Sequence, residues 1–384
     1  MPRLTISDPR ERAAIAVADA LLLPVALRRW LRRVPPAPER ILCFRLERIG
    51  DLLMTVPALA ALHAAAPQAS IDLVVGSWNR ELASTIPGVS GVEAVDAAWL
   101  ARGDGVGPGR LALLASRWRS RHYDLGINFE PDIRSNLAIA ASGARWTAGF
   151  ASGGGGPLLD MAVDFDVTAH TTDNAVALVR AVMGSADVPA NTTLSIPEGA
   201  RGEAERLLCR FNGGPAIGIH VSGGRTIKQW PDARFREVAE RLVRDRGAAI
   251  VLTGTPADRA QVDAVRSALP AERVLDLSGG VSLLTVAAVV ERLNLLVTGD
   301  TGPMHLAHAV GTPIVAVFGP SDPARYAPRG SRDRIVRIDL PCSPCNRIRR
   351  PPARCAGHTP DCLAGIETAQ VLAAIDQALR GDGR

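Results

Sequence analysis

The sequence predicts an α/β protein with two Rossmann-like halves, each a parallel sheet flanked by helices. Three observations carry that expectation. Apolar runs the length of a buried strand alternate with stretches of helical period, as in βαβ units. The alternation breaks in a loop-forming stretch near residue 195 and then starts again. A chain of 384 residues is also the size of two ordinary domains.

The first half opens after a Pro-rich break at 34–39. A strand is expected at 41–46, a turn at Ile49, Gly50 and Asp51, and a helix over 52–65. Strands follow at 70–77, 91–96 and 123–130, then a helix carrying IRSNLAIAASG and a shorter strand at 145–150. The run ASGGGGP at 151–157 reads as a flexible loop, and 173–184 as a helix. Breakers in SADVPANTTLSIPEGA mark the linker. The second half restarts with a strand at 216–224 that ends in a Gly turn. Helices at 234–247, 257–269 and 282–293 alternate with strands at 248–254, 274–279 and 294–300. An apolar run at 313–318, a Cys-bearing loop and an amphipathic helix at 366–380 complete the chain. The divisions are a 1–37 extension, a first domain over 38–195, a second over 196–365 and a terminal helix at 366–384.

Composition narrows the function classes. Hydrophobic residues make up 47% and charged residues 22%, the balance of a globular chain. The net charge of +5 suits an anionic partner without naming one. Aromatics at 4% leave little for stacking single-stranded bases, so no nucleic-acid partner is expected. No stretch has the roughly 18 consecutive apolar residues of a membrane span. Six cysteines are too few for a disulfide scaffold, and Cys43 and Cys209 read as small packed hydrophobes.

The N-terminus is apolar over 13–31, interrupted by Asp19 and Pro24, and ends in RRWLRR. Residues 1–36 hold seven Arg against three acidic residues, a charge of +4. A secretory signal would place its charge first and end in a small-residue cleavage site, which VPPAPER is not. Two readings stay open. The segment is a helix that rests on an anionic lipid surface through its Arg-rich end and Trp30, or a helix that packs on the protein's own body.

Chemistry is expected in the crevice beyond the strand ends. In LLVTGDTGPMHLAHAVGTPIVAVFGPSDPARY (295–326), a Gly-rich turn feeds a helix. Its free backbone N–H groups and the helix dipole form an anion site. Pro303 falls in the first turn, where its missing N–H costs little. Asp300, Thr301, Gly302 and His305 therefore fit a diphosphate; alternatively Asp300 caps a core helix and His305 is satisfied internally. HVSGGRTIKQWP (220–231) is a second such turn. Ser222 and Gly223 lie at a strand end, followed by Arg225 and Lys228, which suit phosphate or form a solvated basic loop. There is no P-loop and no G-x-G-x-x-G after the first strand, which argues against an ATPase and a dinucleotide oxidoreductase.

FRLERIGDLLMTVPALAALHAAAPQASIDLVVG and TGDTGPMHLAHAVGTPIVAVFGPSDPARY resemble the bacterial heptosyltransferases, glycosyltransferase family 9. The resemblance runs from about residue 40 to 380. It implies a GT-B fold, two Rossmann-like parallel α/β domains facing across a cleft. The first would take the acceptor and the second a nucleotide-sugar donor, typically ADP-heptose. The implied reaction is inverting, onto the lipopolysaccharide inner core or another glycolipid or glycan, with no cofactor required for catalysis. Asp51 matches the family's general base, although a helix N-cap is its other reading. Lys228 matches the lysine at the donor diphosphate, and Asp300, Thr301, Gly302 and His305 match the D-[ST]-G-x-x-H donor motif. Asp258 lies near the family's acid for the ribose hydroxyls. Ser222, Gly223 and Arg225 join the donor side, and Arg45, Arg48 and Arg134 are the acceptor-side candidates. The resemblance also implies a cytoplasmic enzyme, peripheral on the inner membrane. The extension is additional to the family pattern. The rivals are a GT-B transferase with another nucleotide-sugar and acceptor, and an inactive glycan-binding relative. Intact Asp51, Lys228 and Asp300 speak against the second.

CSPCNRIRRPPARCAGHTPDC sets Cys342, Cys345, Cys355 and Cys362 within 21 residues. C-x2-C is a usual ligand pair for a structural zinc. Free thiols or a redox-labile pair are the alternative.

Overall fold

The structure, a computed structural model, describes residues 4–6, 8–29, 37–101, 104–185, 187–189 and 193–380. The chain divides into two compact units between residues 192 and 193. In the first, β1 (Arg40–Arg45), β2 (Ser70–Val75), β3 (Val89–Ala94), β4 (Leu125–Asn128), β5 (Trp146–Phe150) and β6 (Met161–Val163) pair in parallel in the order β3-β2-β1-β4-β5-β6. In the second, β7 (Ala216–His220), β8 (Ala249–Thr253), β9 (Val274–Asp276), β10 (Leu295–Gly299), β11 (Ile314–Val317) and β12 (Arg334–Val336) pair in the order β12-β11-β10-β7-β8-β9. Each sheet starts in the middle, grows to one edge, then crosses to the other side. The reversals fall between β1 and β4 and between β7 and β10. Those points are where such sheets hold ligands.

The strands are legible because parallel strands covered on both faces are continuous apolar runs, not alternating ones. Ile41, Leu42, Cys43 and Phe44 are all fully buried, as are Leu295, Leu296 and Val297. Cys209 departs from its expected burial. It follows the helix Glu198–Leu208, is exposed, and its thiol donates to the Arg206 carbonyl at 3.1 Å. That helix begins in the last three residues of the stretch read as linker and runs beyond it, and Arg201 anchors it to Glu291 at 2.8 Å. The expected loop over 151–157 is not loose either. Gly154 and Gly155 have φ of +90° and +76°, a region costly for side-chain-bearing residues.

The glycine loop seats the first helix, α1 (Pro9–Arg29). Gly155 N donates to Asp19 at 2.7 Å, and Ile15 lies where a Cβ on Gly154 would be. Arg29 donates to Thr147 Oγ1 at 3.0 Å and Asp160 Oδ2 at 3.1 Å. The extension thus packs on the protein's own body through one face. Trp30 lies outside the described residues. The terminal helix Thr368–Arg380 is likewise part of its unit, with Val371, Ala374, Ile375 and Ala378 in the core of the second sheet. Among the described residues no helix is long and apolar enough to cross a membrane.

Candidate active site

In the first unit, only Leu46, Glu47 and Arg48 separate the end of β1 from the second helix, α2 (Ile49–Ala65), so the chain turns sharply at the switch point. The helix starts before the expected Leu52, which puts Asp51 inside its first turn. Asp51 Oδ2 accepts the Arg48 N–H at 3.2 Å, and Oδ1 lies 3.7 Å from Arg45 Nη2. The side chain remains 30% exposed. A capping bond and a solvent-reachable carboxylate therefore coexist in one residue.

Arg45 corrects its expected role on the acceptor side, because it is 3% exposed. Nη1 donates to the Phe129 carbonyl at 2.6 Å and meets Glu47 at 2.9 Å, while Nε donates to the Asp51 carbonyl at 3.1 Å. The planar fork is fully engaged in holding Glu47, Asp51 and the end of β4 together. Arg48 and Arg134 do reach outward. Arg48 lies 5.0 Å over the Trp78 ring, and Arg134 lies 4.4 Å over Trp99. Asp132 caps the helix Ile133–Ala141 through Arg134 N at 2.7 Å and also holds the Arg134 Nε at 2.8 Å. Trp78 Nε1 donates to the Glu47 carbonyl at 2.9 Å. Trp78 and Trp99 were not among the sequence candidates; the visible signal was a Trp just beyond each of two successive strands.

Across the switch point, Glu130 is enclosed and accepts the Leu46 N–H. Burial pushes its carboxyl up to about 7, against the lowering effect of Arg45 and that N–H. Burial also raises Glu47; Arg45 lowers it, and Asp51, Glu130 and Asp132 raise it further. With 28% of the Glu47 side chain exposed, solvent moderates the rise.

In the second unit, the Lys228 Nζ lies 2.7 Å from Asp300 Oδ2. Lys228 closes the turn Thr226–Lys228 after β7, and Asp300 follows β10, so the pair bridges the switch point. Burial alone would raise the Asp300 carboxyl. Lys228 outweighs that, helped by Ser321 and His305, and holds it below the ordinary value. His305 is 7% exposed. The residue that opens the helix Gly302–Ala309 is Thr301, not Asp300. Its hydroxyl turns back to Thr298 Oγ1 at 3.0 Å, so its side chain does not occupy the first-turn N–H groups.

Ser222 accepts the Gly224 N–H at 3.2 Å and bonds Asp258. Asp258 Oδ2 accepts Thr255 N at 2.8 Å and Thr255 Oγ1 at 2.7 Å. Burial raises the Asp258 carboxyl, but the Thr255 and Ser222 bonds bring it below its ordinary value. His220, the last residue of β7, was overlooked in the sequence reading. Burial pushes its imidazole down to about 4, leaving it neutral, with Nδ1 3.0 Å from Thr253 Oγ1. Arg225 is exposed beyond this group. Gly223 is required by space, since a Cβ there would lie 2.8 Å from Gln229 N.

The four clustered cysteines grade from exposed Cys342 to buried Cys362. Burial first, then the other three thiols, pushes the Cys362 thiol up to about 11. No three His, Cys, Asp or Glu among the described residues are arranged to hold a metal ion. No catalytic role is needed from this loop.

Comparison with known proteins agrees with this layout. The family model for glycosyltransferase family 9 (heptosyltransferase) matches residues 112–353. Lipopolysaccharide heptosyltransferase 2 of Escherichia coli K12 is 26% identical over 323 residues, covering 78% of this chain and 88% of that protein. The glycosyl transferase family 9 structure from Veillonella parvula DSM 2008 has a TM-score of 0.78 at 25% identity, covering 89% of this chain and 97% of its own. The structure of E. coli ADP-heptose lps heptosyltransferase II has a TM-score of 0.73 at 23% identity, covering 89% and 98%. That second likeness bears on the fold, and agrees with the two-domain α/β architecture of GT-B type. With the family model spanning well over half its length, the chain belongs to glycosyltransferase family 9.

Proposed function

We propose that the protein is an inverting heptosyltransferase that moves heptose from ADP-heptose to an acceptor in the lipopolysaccharide inner core, on the cytoplasmic side of a membrane. The observation that supports this most is the likeness to a lipopolysaccharide heptosyltransferase over 78% of this chain and 88% of that one. The two polar clusters at the switch points fit the same chemistry. Asp51 takes the proton of the acceptor hydroxyl as its oxygen attacks the anomeric carbon. The bond from that carbon to the diphosphate oxygen breaks, and ADP leaves with the electron pair. Lys228 and the first-turn N–H groups of the helix Gly302–Ala309 offset the charge that grows there. Ser222 and Asp258 serve the nucleoside hydroxyls, with Arg225 at the rim. Arg48 and Arg134, each backed by a Trp, take anionic groups of the acceptor.

The test is a screen of ADP-, UDP- and GDP-sugars with Kdo–lipid A acceptors, read by product mass spectrometry. Addition of one heptose from ADP-heptose is the expected result. Product from a different nucleotide-sugar alone would reassign the donor. Donor binding without product from any pair would make the protein a glycan-binding relative.

A further inference from the structure

We propose that the outward face of α1 is a docking surface for an anionic lipid membrane. The helix is fixed by its inward side. Ile15, Asp19, Ala26 and Arg29 recur at helical spacing and meet the first unit at Gly154, Gly155, Thr147 and Asp160. Ala26 is 5% exposed. Those contacts decide which side faces away, and that side is apolar. Leu21 is 76% exposed, Leu27 64% and Val17 61%, with Leu23 and Val25 on the flanks.

Residues 13–27 contain a single charged side chain, Asp19. It points inward, to the Gly155 N–H. A surface helix ordinarily has the opposite arrangement, with charge outside and apolar residues within. Over 13–27 this one has apolar residues outside as well as within, which calls for a cover on the second side. Exposed apolar side chains scattered singly need no explanation, but a contiguous strip does.

Charge identifies the cover. Arg10 and Arg12 at one end of the strip are balanced by Asp8 and Glu11, whereas the sequence RRWLRR begins at its other end and gives residues 1–36 their charge of +4. An apolar strip followed by an arginine-rich sequence suits a helix lying in the plane of an anionic bilayer, its apolar side in the acyl boundary. A second copy of the chain fits less well. Parallel pairing of two such helices sets RRWLRR against itself, and antiparallel pairing sets it against an end whose Arg10 and Arg12 are balanced by Asp8 and Glu11, so neither arrangement matches its charge. This surface adds a setting to the proposed transfer and does not depend on which sugar is moved.

The experiment is flotation of the full-length protein with vesicles of phosphatidylglycerol and phosphatidylcholine, and with phosphatidylcholine alone. Wild type is expected to float with the anionic vesicles, less so in high salt, and poorly with the neutral ones. Leu21→Glu with Leu27→Glu should weaken flotation by roughly tenfold or more. Melting temperature and turnover on a soluble acceptor should stay unchanged, because neither side chain is packed. Leu21→Ala with Leu27→Ala should give a smaller loss, and this milder variant covers the case in which the glutamates disturb folding. Equal flotation of wild type and both variants would overturn the proposal. So would equal binding to neutral vesicles, or a wild-type dimer in light scattering that the variants convert to monomer without any change in flotation.

Discussion

Lys228 and Asp300 are bound to one another at 2.7 Å, with side chains 20% and 11% exposed. Both were candidates for the donor, each read from its own turn. Their pairing means that neither acts alone. Asp300 fixes the Lys228 ammonium at the mouth of the helix Gly302–Ala309, and Lys228 keeps Asp300 ionised.

Lys228→Ala should therefore have two effects. It leaves a mostly buried carboxylate unpaired, which costs on the order of 3 kcal/mol in urea denaturation. Because the folded-state value of Asp300 is depressed, the pair's stabilisation is present above the unfolded carboxylate value and lost as pH falls through the folded one. Removing Lys228 should abolish that acid-side loss. The second effect is on the donor. Loss of a charge-assisted contact of about 2 kcal/mol should lower kcat/KM roughly 30-fold. A destabilised variant with unchanged donor kinetics would confine the pair to a structural role.

Two glycines beside this pair should respond differently to the same substitution. A Cβ on Gly223 would lie 2.8 Å from Gln229 N and the Lys228 carbonyl carbon, and backbone cannot step aside cheaply. On Gly299 the nearest atom, the Lys228 carbonyl oxygen, is 3.5 Å away, an ordinary contact. Gly223→Ala should raise the donor KM by displacing the Lys228 turn. Gly299→Ala should leave it nearly unchanged. Equal effects in steady-state kinetics would break the link between the Gly223 turn and Lys228.

What the sequence made legible follows from what each feature depends on. The long central strands were visible because burial on both faces writes an unbroken apolar run, as in 41–44. β6 and β12 were missed because each has three residues and little of it is buried, none in β6 and only Val336 in β12, whereas the equally short β9 shows the buried pair Val274 and Leu275. Lys228 and Asp300 were both found from turn chemistry, but their bond was not, since it depends on β7 and β10 lying side by side. Arg45 looked like a free cation because nothing local reveals that Phe129 and Asp51 enclose it. The glycine run read as slack, whereas its glycines are small to admit α1.

Glu130→Gln probes the buried carboxylate of the first unit by pH. The folded-state value is raised to about 7 by burial, so the folded protein holds a proton that the unfolded chain releases near pH 4.3. Stability should then fall as pH rises between those values. Glutamine imitates the protonated form and can still accept the Leu46 N–H. The variant should show a flatter stability profile from pH 5 to 8, within the range of about 4.3 to 7 and just beyond it, and greater stability at the alkaline end. A profile parallel to wild type in urea melts would mean that Glu130 is ionised throughout.

Asp51→Asn separates the two roles that coexist in Asp51. An asparagine oxygen can still accept the Arg48 N–H, so the first turn of α2 keeps its cap at little cost. The lost attraction is to Arg45 Nη2, which at 3.7 Å is the longer of the two contacts and leaves Arg45 its bonds to Phe129 and Glu47. Melting temperature should therefore change little. An amide cannot take a proton at neutral pH. If Asp51 is the base, kcat should fall roughly 100-fold or more while donor affinity, set by residues of the second unit, holds. Turnover within about twofold of wild type would reject the base role. Glu47 would then be tested next, because it shares Arg45 with Asp51 and is 28% exposed, whereas Glu130 is enclosed and held to Leu46.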